Sequence, residues 1–152
     1  MSCVSGVVSD VFIVRWVEPE ANDVAKLVED VRKEAAKRRE KLHYVAVIGS
    51  DVPVPDDATR KALSASVDEV LESCQTVHMV IEGKGLRRAL VRSLSTSIIL
   101  LSRHRGRTFA HDEVERAFYT IAGADRSRAD ALMREAIDTG LLTERLAAPA
   151  GT

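Results

Sequence analysis

Net charge is nearly absent from this chain, since 22 Lys and Arg stand against 23 Asp and Glu, leaving −1. No global field therefore draws it to nucleic acid or an anionic bilayer, and neither nucleic-acid binding nor membrane insertion is expected, although local patches stay possible. Cysteine is scarce: Cys3 and Cys74 cannot make a disulfide framework. No sequence signal lowers a thiol pKa, so Cys74, at the end of an apolar helical face, reads as a free buried thiol. Long apolar runs are missing too. Segments such as residues 98–101 fall far below the roughly 20 residues that span a bilayer. The first residues lack the basic start and apolar stretch of a secretory signal, and a cytoplasmic location is the expectation. Internal repeats and low-complexity segments are absent as well.

What is present is ordinary globular material. The 152 residues are 45% apolar and 30% charged, enough for one compact domain that needs no metal or disulfide to hold it. Residues 11–17 are β-branched and aromatic, which reads as a strand, with residues 4–8 as a short antiparallel partner through Ser9 and Asp10. In residues 20–41, Val24, Leu27, Val28, Val31 and Ala35 recur at helical spacing, with Asn22 or Pro19 as the opening signal. The basic tract 33–41 carries interleaved Glu and reads as a solvated helix face. A continuous apolar run at 42–48 fits a central strand covered on both sides. Pro53 and Pro55 make a loop of residues 49–55, and Asp56 or Asp57 can cap the next helix, which carries Leu63, Val67, Val70 and Leu71.

A third strand is expected at 76–81 and a long helix at 86–104. A short strand follows at 107–110, then a helix capped by Asp112 and a last helix over 125–139. Strands alternating with helices predict an α/β fold with a mainly parallel, four- to five-stranded sheet, flanking helices and a C-terminal helix. The expected organisation is a single domain over 1–146, with a core at 9–123, a helical extension at 124–146 and a loose tail at 147–152.

The order of elements, their lengths and the closing segment Arg107-Thr-Phe-Ala-His-Asp-Glu-Val-Glu-Arg-Ala-Phe118 resemble the STAS-like family, the domains of sulfate transporters and anti-sigma factor antagonists. The resemblance covers roughly residues 9–123 and rests on pattern. It implies a mostly non-enzymatic domain that docks protein partners. In the antagonists of that family, a Ser in an Asp-Ser-Ser-Gly turn at the start of the second helix is phosphorylated. Here Asp56 matches the motif Asp, Asp57 and Ala58 stand in place of the serines, and Thr59 replaces the Gly. A phosphoswitch would have to use Thr59 or Ser50, or be frozen acidic by Asp57. Capping of the helix by the two acids is the simpler account.

Other chemical signals are weak. Gly83-Lys-Gly-Leu-Arg-Arg88 follows a strand and opens a helix, where anions bind, but lacks the glycines of a dinucleotide fingerprint and the ending of a P-loop. Lys84, Arg87, Arg88 and Arg92 nonetheless gather four cations within about two helical turns. Residues 93–102 hold no charge, and Leu94, Ile98 and Ile99 belong to a broad apolar surface. Either the last helix covers that surface or it is an interface, in which case a homodimer is expected. His43, His78, His104 and His111 show no zinc spacing and no CxxC accompanies them, so no metal or other cofactor is expected. His43 and His78 could be neighbours across the sheet as satisfied structural histidines. No nucleophile elbow or nucleophile–base pair is visible, and no catalytic residue is assigned.

The reading from sequence is thus a self-associating protein-interaction or regulatory module of bacterial signalling or assembly type. Its partner contacts are placed at Asp51, Asp56, Asp57, Thr59, Leu94, Ile98 and Ile99. The alternative is a domain for a small anionic ligand or lipid, held by Lys84, Arg87, Arg88 and Arg92 beside an apolar pocket.

Overall fold

The computed structural model describes residues 3–83, 89, 93 and 105–143. Over these residues the elements are β1 (Cys3–Val8), β2 (Val11–Trp16), α1 (Ala21–Ala36), β3 (Leu42–Ile48), α2 (Asp57–Ser73), β4 (Cys74–Ile81), β5 (Thr108–His111), α3 (Val114–Ile121) and α4 (Arg126–Asp138). One five-stranded sheet runs in the order β1-β2-β3-β4-β5. Only β1 and β2 are antiparallel; the other neighbours are parallel. The expected α/β architecture, with its mostly parallel sheet and C-terminal helix, is the one found. No helix among the described residues is long and apolar enough to cross a membrane.

Side-chain alternation along each strand decides how the layers form. Phe12, Val14 and Trp16 of β2, Tyr44 and Ala46 of β3, and Val77 and Met79 of β4 face α1 and α2, which supply Val24, Leu27, Val28, Val31, Val67, Val70 and Leu71. The intervening residues Val11, Ile13, Val45, Val47 and Val80 face the other way, onto Val114, Ala117, Phe118 and Ile121 of α3 and Ala129, Leu132 and Ala136 of α4. The crossovers β2-α1-β3 and β3-α2-β4 put both helices on one side, which leaves the second face to the C-terminal pair. Trp16 is core, as its strand position suggests.

Several boundaries differ from expectation for local reasons. Helix α1 ends at Ala36 instead of reaching residue 41, because Lys37 to Lys41 are all exposed and bury nothing. Its N-cap is Glu20, with no side-chain cap, and not Asn22. Cys74 does not finish the helix but opens β4 in extended backbone. The last strand begins at Thr108, since Arg105–Arg107 form a short 3-10 turn. Helix α3 starts from Glu113, so Asp112 is not its cap. The cap at Asp56 is as read, accepting from the Thr59 amide at 2.8 Å, whereas Asp125, expected as the first residue of the last helix, lies just outside it and caps it, accepting from the Arg128 amide at 3.2 Å.

Arg107 fastens the end of α2 to the sheet. Its Nε donates to the Gln75 carbonyl at 2.9 Å, and Nη2 donates to the Leu71 and Cys74 carbonyls at 2.8 and 2.7 Å. These acceptors lie at or just past the last turn of α2, where helical carbonyls have no internal partner and a cation also meets the negative end of the helix dipole. Arg107→Met keeps the aliphatic stem and removes every donor. It is expected to lower stability by about 2 kcal/mol, the scale of lost charge-assisted hydrogen bonds, read as a reduced urea midpoint with an unchanged slope.

Candidate functional site

The registers Trp16↔Ile48 and Ile48↔Ile81 bring the carboxyl ends of β2, β3 and β4 level with one another. Three connections therefore leave the same end of the sheet, the end at which open α/β folds bind what they bind. They are held together by backbone: the Glu82 amide donates to the Ile48 carbonyl at 2.9 Å. Gly83 then turns at φ 107°, and a Cβ there would sit 2.8 Å from Ser50 Cβ. The strand end and the 49–55 loop can touch only because position 83 is glycine.

Along this end the sequence-read acids are displayed to solvent. Asp51, Asp56 and Asp57 are exposed, and Glu18 and Glu20 stand on the neighbouring loop. Asp57 pairs with Arg60 across one helical turn. Hydrogen bonding from Thr59 to Asp56, helped by the charge of Arg60, holds the Asp56 carboxyl below its usual range. Thr59 is only 3% exposed, so its role is to close the cap and pack, whereas Ser50 is exposed. Apolar groups share the same surface. Val17 and Val54, 44% and 39% exposed, are two of the three exposed large hydrophobics among the described residues, the third being Tyr119.

Beneath these loops, on the α3/α4 side, lies an open cavity of about 450 Å³. Val47, Val114, Met133 and Leu142 line it, together with Arg15, Asp51 and Glu82. Sequence reading missed Arg15 altogether. It lies on an otherwise buried strand, in the row of Val11 and Ile13, and its Nε donates to the Leu141 carbonyl at 3.2 Å. A cation in the apolar phase of a strand was the available signal.

Near the other end of the sheet, a polar row crosses the same face. His43 Nδ1 lies 2.6 Å from Thr76 Oγ1, which lies 3.0 Å from His78 Nε2, and His78 Nδ1 lies 2.9 Å from His111 Nε2. His43 Nε2 stands 3.9 Å from Asp10 Oδ2, and Asp10 is itself held by Arg128 Nη2 at 3.0 and 3.2 Å. The carboxylate favours a proton on His43 Nε2, so Nδ1 accepts from the Thr76 hydroxyl. The hydroxyl oxygen then accepts from His78 Nε2, and His78 Nδ1 accepts from His111 Nε2. One acid thus orients the whole row. The neighbourhood of His43 and His78 across the sheet is as read, with ring centroids 6.5 Å apart, while Thr76 and His111 were not foreseen as partners. His78 also stacks on Phe109 at 4.9 Å.

Burial makes these imidazoles hard to charge. His78 is 1% exposed, and desolvation, with His111 and His43 beside it, pushes its pKa down to about 3. Desolvation lowers His43 despite Asp10, and lowers His111 despite Asp112. Among the described residues no group of three or more His, Cys, Asp or Glu could hold a metal ion. Cys74 is fully buried, and burial pushes its thiol up to about 12, which makes it a poor nucleophile at neutral pH.

Leu94, Ile98, Ile99, Lys84, Arg87, Arg88 and Arg92 lie outside the described residues, so the structure does not locate the proposed interface stripe or the cationic cluster. No protein-family model matches the chain, and no curated protein matches it.

The lowered histidines set a pH dependence of known sign. The unfolded chain takes up protons at pH 6.5, whereas folded His78 resists until about pH 3. Between those values the unfolded state binds more protons, so stability is full above pH 6.5 and is lost as pH falls. Asp56 adds its own loss only below its ordinary value of 3.8. The urea midpoint should fall steadily from pH 7 to pH 4.5. His78→Leu should be less stable at pH 7, because it strands Thr76 and His111, yet show a flatter decline.

Proposed function

We propose that this chain is a non-enzymatic protein-interaction module of STAS-like, bacterial-signalling type, which docks a basic segment of a partner protein at the carboxyl end of its sheet. The observation that carries this reading is the mixture found there: Val17 and Val54 are exposed among Glu18, Asp51, Asp56 and Asp57. Acids alone are a solvated rim, and single exposed apolar residues are ordinary. Together on neighbouring loops they supply an apolar anchor inside a field of one sign, which fixes partner charge and speeds encounter. The antiparallel opening pair, the run of parallel strands and the closing strand and helix support the STAS-like assignment.

The reading as a site for a purely anionic ligand or lipid has less support. Arg15 and Asp51 line the cavity at this end together, so it offers no surplus of positive charge to a lone anionic head group. Self-association through the uncharged run 93–102, with Leu94, Ile98 and Ile99 at its centre, belongs to the same proposal and is supported by composition.

Two measurements test the proposal. Amide shifts should be followed by NMR while a short Lys/Leu peptide is added at low salt, with an all-Lys peptide of equal charge as control. Shifts should concentrate at residues 17–20 and 49–57, weaken at high salt as surface charges are screened, and be smaller with the all-Lys control. Asp57→Lys with Val54→Ser should weaken binding about tenfold, a loss of roughly 1.4 kcal/mol. Shifts centred on α4, or equal binding by the double variant, would overturn the docking site. Light scattering across a dilution series should give a stable multiple of 16.6 kDa; a monomer throughout would remove the self-association claim.

A further inference from the structure

The cavity beside the docking loops has a chemistry of its own, independent of any protein partner. Its volume of about 450 Å³ falls within the range of roughly 300–1,000 Å³ seen for small-ligand sites. Val47, Val114 and Leu142 are buried, and Met133 is half-buried, so one wall is apolar. Two charges of opposite sign complete it.

Arg15 is a tethered cation. The bond from Nε to the Leu141 carbonyl holds the plane of the guanidinium. Among the described residues its Nη nitrogens have no hydrogen-bond or ion-pair partner. A guanidinium fixed at Nε still offers the Nη N–H groups to a planar carboxylate, and its fork suits that shape better than a point charge would. Asp51 lines the same cavity from the 49–55 loop and also has no ion-pair or hydrogen-bond partner among the described residues. Arg15 and Asp51 are not paired with each other within salt-bridge distance, although they share one cavity. Glu82 also lines the cavity but is engaged in an interaction of its own.

A ligand carrying only a carboxylate would satisfy Arg15 and leave Asp51 without a partner. One carrying only an ammonium would meet Asp51 and be repelled by Arg15. A molecule with both charges close together and an apolar group between them and the wall answers each lining residue. We infer that this cavity is a binding site for a small zwitterion of the α-amino-acid type with an apolar side chain. The carboxylate lies on Arg15, the ammonium on Asp51, and the side chain against Val47, Val114, Met133 and Leu142.

The probe is L-leucine, titrated into the full chain and followed by amide shifts, with two truncated analogues beside it. 4-Methylpentanoate lacks the ammonium, and 3-methylbutylamine lacks the carboxylate. Leucine should shift residues 15–17, 47–51 and 82, and each analogue should bind at least tenfold more weakly. Asp51→Asn, an exposed position, should weaken leucine about tenfold while leaving 4-methylpentanoate unchanged. Arg15→Gln should abolish binding, and Asp51→Asn keeps the test decisive where loss of the Leu141 tether unfolds the protein. Absence of leucine shifts at those residues, equal affinity for 4-methylpentanoate, or unchanged affinity in Asp51→Asn would overturn the inference. The variant Asp57→Lys with Val54→Ser should bind leucine normally, so failure of this site and failure of the docking surface are separate results.

Discussion

Val45 and Val47 project from one side of β3, and Tyr44 and Ala46 from the other, and neither set can stay in water. A strand that is apolar on both faces must lie inside a sheet and beneath helices on each side. Covering those two faces governs the rest of the molecule. Helices α1 and α2 close one face because both crossovers turn the same way. The second face then has no crossover helix among the described elements, and α3, α4 and the Leu141–Leu142 turn fill it. The cavity sits where that second cover meets the strand ends, bounded by Val47 below and by Val114, Met133 and Leu142 beside it. Coverage that comes from the C-terminal end of the chain is what creates a recess at this place.

The same second face carries the polar row, and the two ends of the sheet differ in character as a result. His43, Thr76 and His78 lie toward the amino ends of the strands, joined by direct hydrogen bonds and largely out of solvent, with the Asp10 carboxylate 3.9 Å from His43. Their hydrogen bonds satisfy groups that would otherwise be costly to bury. Toward the carboxyl ends, Val17, Asp51 and Val54 are exposed instead. The first end is satisfied internally, whereas the second displays charge and apolar surface to solvent, the mixture on which the docking proposal rests.

How far the chain could be read in advance followed from the range of each interaction. The strands, the hairpin, the cap at Asp56 and the buried Cys74 are local matters of alternation, turn residues and spacing, and they were legible. The acids at 51, 56 and 57 were legible as exposed loop and cap residues for the same reason. Arg15 was not, because its meaning depends on Leu141, 126 residues away. Asp10 and Arg128 are separated by 118 residues, and nothing in either neighbourhood signals the other. His111 joins the row only through the β4–β5 register, which sets Val80 against His111 and His78 against Phe109. Single-residue register across a crossover is not written in periodicity.

The strand order has a kinetic consequence. Each strand after the first pairs with its immediate predecessor in the chain, so the sheet can grow outward by one edge addition at a time, without a later strand wedging between earlier ones. Every addition closes a loop of modest length, and the entropic barrier to each is correspondingly small. During synthesis, α1 and α2 can cover their face as soon as β4 has emerged. The described elements that cover the opposite face, α3, α4 and the Leu141–Leu142 turn, all follow β5 in the chain. Among the described elements, only these cover Ile13, Val45, Val47 and Val80, so a nascent sheet without them presents apolar valines to other chains, the kind of surface on which aggregation begins.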